Sequence, residues 1–166
     1  DWGVRCAGKK KRGKKMVKIL VIHGPNLDLL GKREPDVYGT ITLKQINDAL
    51  EKSARKKKAK LTIMQSNHEG EIISAIGKAK EGFDALLINP AAYTHTSVAI
   101  RDAIMTLDIP VVEVHLSNIF AREEFRRKSL ISPVANGGVY GFGLDSYILG
   151  LNAVISLATK NAAKSE

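Results

Sequence analysis

Val17-Lys18-Ile19-Leu20-Val21-Ile22-His23-Gly24-Pro25-Asn26 decides the fold: an apolar run broken only by Lys18 stops abruptly at a Gly-Pro turn. Such a run, bounded by turn residues, reads as a strand buried on both faces, as in a parallel sheet covered by helices. The turn opens a long loop that passes Leu27, Asp28, Arg33, Glu34, Pro35 and Tyr38 to reach Gly39. An amide, several acids, a guanidinium and a phenol therefore share one span. Open α/β sheets place their chemistry on loops of this kind, beyond the carboxyl ends of strands.

Outward from that strand, helical and extended patterns alternate. Thr42 followed by Leu43, Ile46 and Leu50 predicts an amphipathic helix to about Lys57. Leu61 to Gln65 reads as a second strand, Gly70 to Glu81 as a helix, and Ala85 to Asn89 as a third strand ending in Asn-Pro. A helix from about Ser97 to Leu107 closes at Asp108-Ile109-Pro110 and leads into a fourth strand, Val111 to Val114. Arg122 to Lys128 suggests a short helix, and Ile131 to Val134 a brief fifth strand. The glycine-rich stretch Ala135 to Gly143 reads as tight turns or close backbone packing. The last helix, about Leu144 to Ala162, is apolar around much of its circumference, which calls for deep packing or a subunit interface. This alternation defines an α/β fold, an open five-stranded parallel sheet between helical layers. A closed eight-fold barrel needs roughly 250 residues, and the chain has 166.

Composition narrows the function classes. The formal charge is +9, but residues 1–15 hold seven basic residues and one acid, so they carry +6 and leave +3 for residues 16–166. The basicity is mostly a tail, expected to be disordered, and the single domain of residues 16–166 is only weakly basic. The tail is an upstream extension, a basic interaction arm or a targeting remnant, and Met16 looks like a natural start. A nucleic-acid partner is not expected for the body. Val17 to Ile22 is too short to span a membrane. Cys6 is the only cysteine, so neither an intrachain disulfide nor a thiolate metal site can form, which suits a cytoplasmic enzyme.

Polar residues gather where the strands end. His23 and Asn26 follow the first, Gln65 to Gly70 the second, Asn89 to Ser97 the third, and Glu113 with His115-Leu116-Ser117-Asn118 closes the fourth. In a parallel sheet these ends share one edge, so all four clusters are expected around one crevice. His23, His68, His95 and His115 match no HExxH spacing, and no metal is expected. His23, beside the buried strand, reads as structural, and His68 as either helix-start support or site lining. There is no GxGxxG or GxxxxGK[ST] after the first strand, and Pro25 removes a donor that a phosphate cradle would need, which argues against a nucleotide or flavin cofactor. Lys56, Lys57, Lys58 and Lys60 read as a solvated helix end.

Three motifs in order, His23-Gly24-Pro25-Asn26-Leu27 through Arg33-Glu34-Pro35 to Tyr38-Gly39, Asn89 to Ser97, and Glu113 to Asn118, closely resemble type II 3-dehydroquinate dehydratase. The resemblance runs from about Lys18 to Ala158. It implies a flavodoxin-like fold and, without any cofactor, loss of water from 3-dehydroquinate to give 3-dehydroshikimate in the shikimate route. Carried onto this chain, it makes Tyr38 the base, Arg33 its supporting cation, Asn26 a stabiliser of the enolic oxygen, and His115 the general acid oriented by Glu113. It assigns substrate binding to Asn89, His95, Leu116, Ser117 and Arg126, with Asp102 reaching the site of a neighbouring subunit in a trimer. Four trimers would form a homododecamer. Asp28 stands where relatives often have Asn, and Ala91 where many carry Gly.

The chemistry of these side chains fits that assignment. Removing a proton beside a ketone develops charge on the carbonyl oxygen, which aimed hydrogen-bond donors stabilise. A phenol with a pKa near 10 becomes a useful base when a guanidinium favours its phenolate. A departing hydroxyl needs a proton, and imidazole is suited to give one near neutrality. Glu113 and His115, two apart on an extended segment, share a face. Nothing in this scheme uses a lysine Schiff base.

Overall fold

The computed structural model describes residues 16–32, 36 and 39–164. The expectations for the tail of residues 1–15, and for Arg33 and Tyr38, fall outside the described residues. Strands β1 (Val17–His23), β2 (Ala59–Gln65), β3 (Ala85–Asn89), β4 (Val111–His115) and β5 (Gly137–Tyr140) form one sheet, in the order β2-β1-β3-β4-β5. Every pairing is parallel. The helices are α1 (Leu43–Lys56), α2 (Glu69–Gly82), α3 (Val98–Met105) and α4 (Leu144–Lys164).

Period-two side-chain alternation divides the core between the two faces. Ile19 and Val21 of β1, Ala85 and Leu87 of β3, and Val112 and Val114 of β4 pack with Ile46 and Leu50 of α1 and Tyr147, Leu151 and Val154 of α4. Leu20, Ile22, Leu86, Ile88 and Val111 pack on the other face with Ile72 and Ile76 of α2 and Ile100 and Ile104 of α3. Burying each such aliphatic side chain stabilises the fold by roughly 1.5–3 kcal/mol before entropy is counted. This is the flavodoxin-like architecture, with helices on both sides of a parallel sheet.

Local signals set most of the boundaries. Thr42 and Gln45 make a reciprocal capping box at the start of α1, where Gln45 N–H donates to Thr42 Oγ1 and Thr42 N–H to Gln45 Oε1. Ser97 caps α3 by accepting from Ile100 N–H at 2.9 Å. Gly150 lets α4 lie close on the sheet, because a Cβ there would stand 2.4 Å from Val114 Cγ1.

The chain departs from expectation after β4. Residues 131–134 are not a strand: Ser132–Val134 is a 3-10 turn, and the fifth strand lies in the glycine-rich stretch. The Ser129 and Ser132 hydroxyls bond to Glu113 and draw the intervening segment out of the sheet. Pro133 lacks the N–H that a strand would use. Asn136 then leads into β5, its N–H donating to Val111 O and its Oδ1 accepting from Val111 N–H, both at 2.8 Å. The turn reading holds for Gly141 and Gly143, which have φ values of 95° and 58°. The helix expected over 122–128 is instead a single 3-10 turn, Glu124–Arg126, and a second turn, Ile119–Ala121, precedes that span. Among the described residues no helix is long and apolar enough to cross a membrane.

Candidate active site

The strand order reverses at β1: the chain goes first to β2 on one side, then to β3 on the other. Ligands bind open α/β sheets outside the strand ends at such a switch point. A cleft opens there, lined by Asn26 and Leu30 after β1, Asn89, Ala91, Ala92 and His95 around the end of β3, and His115, Leu116, Ser117, Ile119, Arg122 and Arg126 from β4 onward.

Three strand ends line the cleft rather than four. The cluster after β2 instead braces the loop after β1. Asn67 Oδ1 accepts from Asn26 N–H at 2.9 Å, and Gln65 Nε2 donates to Gly24 O at 3.3 Å and to Asp28 Oδ1 at 3.5 Å. Asn26 needs that brace, because its φ of 65° lies in the left-handed region. His68 sits at the start of α2 and is not among the residues lining the cleft. Gly24 allows the ends of β1 and β3 to meet: its N–H donates to Asn89 O at 2.7 Å, and an added Cβ would stand 2.5 Å from Pro90 O.

A carboxylate–imidazole pair forms one wall. His115 Nε2 donates to Glu113 Oε1 at 2.7 Å, with both side chains nearly inaccessible to solvent. Glu113 also receives hydroxyl hydrogen bonds from Thr94, Ser129 and Ser132, the last at 2.5 Å. Burial alone would push this carboxyl up, but the hydrogen bond and charge of His115, with the Ser132 and Thr94 hydroxyls, outweigh it and hold the pKa below the usual carboxylate range. An ionised Glu113 accepts from His115 Nε2 and leaves Nδ1 as the ring nitrogen not engaged by the carboxylate.

His95 is set differently. Its Nδ1–H donates to Lys128 O at 2.8 Å, which leaves Nε2 as an acceptor. Partial burial lowers its pKa most, the backbone bond opposes this, and His115 and Arg126 lower it further. Arg122 and Arg126 bring positive charge to the cleft, both paired through Nε with Glu123 Oε2, at 3.5 and 3.0 Å. Among the described residues no three His, Cys, Asp or Glu side chains could share a metal ion.

Of the sequence-predicted site residues, Asn26, Asn89, His95, His115, Leu116, Ser117 and Arg126 come together here, with Glu113 behind His115. Asp102 is exposed on α3 and does not line the cleft. Arg122 lines the cleft without having been singled out by motif. Its nearness to Arg126 in the basic run is the signal that marks it.

A five-stranded parallel sheet in flavodoxin order, with a buried acid–imidazole pair and two arginines at its switch point, defines an α/β protein of the flavodoxin-like class. The family described as dehydroquinase class II matches residues 17–155. A 3-dehydroquinate dehydratase from Trichodesmium erythraeum is 56% identical over 138 residues, which cover 83% of this chain and 92% of that protein. The crystal structure of the type II dehydroquinase from Butyrivibrio crossotus superposes with a TM-score of 0.83 at 44% identity, over 84% of this chain and 98% of that one. The type II dehydroquinase from Propionibacterium acnes gives a TM-score of 0.81 at 38% identity, over 86% and 99% of the two chains. The chain belongs to the class II dehydroquinase family.

Proposed function

We propose that the protein is a 3-dehydroquinate dehydratase that removes water from 3-dehydroquinate to give 3-dehydroshikimate through an enolate, with no Schiff base. The observation that carries this reading is the buried Glu113–His115 pair facing a cleft that also holds two asparagines and two arginines.

Tyr38, made more acidic by Arg33, takes the proton from the carbon beside the ketone. The bonding pair moves toward the carbonyl oxygen, where Asn26 stabilises the developing charge. As the enolate collapses, the hydroxyl on the next carbon leaves with a proton from His115 Nδ1, so one water departs and a conjugated enone remains. Glu113 holds the imidazole in place for that transfer. Arg126 pairs with the substrate carboxylate, and Asn89, His95, Leu116 and Ser117 hold its oxygens. Among the described residues no lysine lines the cleft.

In this reading residues 16–166 act as one catalytic domain without a cofactor, in the cytoplasm, as a homododecamer of four trimers. Asp102, exposed on α3, completes the site of a neighbouring subunit. The test is incubation with 3-dehydroquinate followed by mass spectrometry. A product lighter by one water supports the proposal, and unchanged substrate contradicts it.

A further inference from the structure

We infer that Asn47, His23 and Tyr147 are positioning residues that fix which edge of the Asn89 amide is offered to the cleft. The inference rests on Asn89 being a substrate contact, as proposed above.

The direction of this hydrogen-bond chain follows from one unambiguous group. The backbone N–H of Ala91 can only donate, and it lies 3.1 Å from Asn89 Oδ1. The amide nitrogen therefore faces the other way and donates to Tyr147 Oη at 2.9 Å. Having accepted there, the tyrosine hydroxyl gives its single proton to His23 Nδ1 at 2.8 Å. A ring that accepts at Nδ1 carries its proton on Nε2, and that proton reaches Asn47 Oδ1 at 2.8 Å. Every donor meets an acceptor, and reversing the order at any point sets two donors or two lone pairs against each other.

Such a conflict has no outlet to water. His23 and Tyr147 are wholly buried and Asn89 is 2% exposed. Burial pushes the His23 pKa down to about 4, against the hydrogen bond to Asn47 that raises it, so the ring carries one proton at neutral pH, as the chain requires. Burial also pushes the Tyr147 hydroxyl well above its ordinary range, so it stays a donor.

The chain crosses the fold, from Asn47 on α1 through His23 at the end of β1 and Tyr147 on α4 to Asn89 at the end of β3. An apolar core could fill this space without desolvating three polar side chains, so the cost of burying His23, Tyr147 and Asn89 needs a return. That return lies at the cleft end. With Oδ1 held by Ala91 and one amide hydrogen held by Tyr147, Asn89 keeps its second Nδ2 hydrogen for a ligand oxygen. The amide cannot flip to present an acceptor instead.

The test is a double-mutant cycle, with kcat and KM for 3-dehydroquinate measured beside urea unfolding. Tyr147→Phe removes one oxygen and leaves the ring. It should raise KM about tenfold and leave kcat within about twofold, because one oriented hydrogen bond is lost equally from ground and transition states. Asn89→Ala should raise KM at least as much, and adding Tyr147→Phe to it should change neither constant further, since the residue acted upon is gone. Wild-type constants in Tyr147→Phe, or losses that multiply in the double variant, would overturn the positioning role whatever happens to stability. If Tyr147→Phe does not fold, Asn47→Ala at the half-buried outer end takes its place, with the same two outcomes. An unaffected Asn89→Ala enzyme removes the substrate contact and this inference with it. A wild-type protein that does not dehydrate 3-dehydroquinate overturns the proposed function instead.

Discussion

Glu113 and His115 stand two residues apart on β4 and meet side chain to side chain, Nε2 donating to Oε1 at 2.7 Å. A strand places such residues on one face, and the Thr94, Ser129 and Ser132 hydroxyls keep the carboxylate where the imidazole needs it.

Glu113→Gln tests that pairing because it keeps the shape and an acceptor oxygen but removes the charge. Turnover should fall about 10²-fold, as the imidazole loses the carboxylate that holds it for proton transfer. Binding of 3-dehydroquinate, measured by calorimetry, should change far less. A variant with wild-type kcat would show that the carboxylate does not support the acid.

His23 predicts a pH dependence of stability. Its folded pKa of about 4 lies below the ordinary 6.5, so the folded state resists protonation. Above pH 6.5 the ring is neutral in both states and its contribution is constant. Between pH 6.5 and about 4 the unfolded chain binds a proton that the folded one does not, so stability is lost as the pH falls. The loss should total about 3 kcal/mol and level off below that window. Urea unfolding of the wild type and of His23→Asn should diverge in slope across this range, and parallel curves would contradict the assignment.

Gly150→Ala sets helix propensity against packing. Alanine gains about 1 kcal/mol within a helix, yet its Cβ would stand 2.4 Å from Val114 Cγ1 and 3.0 Å from Leu87 Cδ1. Val114 is β-branched and fully buried, so it cannot turn aside. Net destabilisation of about 1–3 kcal/mol is expected in chemical unfolding, and a stabilised variant would contradict the packing.

Ala91 gives the opposite sign. Its φ of 51° lies in the left-handed region, where a side chain costs roughly 1–2 kcal/mol. Ala91→Gly relieves that strain but adds unfolded-chain freedom worth about 0.4–1 kcal/mol. The net gain of about 1 kcal/mol should raise the unfolding midpoint, while a lower midpoint would mean that the lost methyl contact outweighs the strain.

The sheet was legible in the sequence because β1, β3 and β4 are short apolar runs ended by turn residues, and Glu113 and His115 because period two puts them together. Other parts lie beyond any local pattern. Gly137 and Gly138 pair with Val112 and Glu113, but glycine is a poor strand former, and only the β4 edge makes a strand of that segment. The hydroxyls of Thr94 and Ser132 each lie 19 residues from the carboxylate they bind, and Tyr147 lies 124 residues from His23. No periodicity marks contacts of that range. Four polar strand ends suggest four walls, but the one after β2 spends its amides bracing the turn at Asn26.

The central claim is that Tyr38 and His115 remove and supply the two protons of one dehydration. Its most direct test is the ultraviolet absorbance of the conjugated enone formed from 3-dehydroquinate by the wild type, Tyr38→Phe and His115→Ala. The account predicts a steady rise for the wild type and initial rates lower by about 10²-fold or more for each folded variant. No rise from the wild type, or a near-normal rate from Tyr38→Phe, would contradict it.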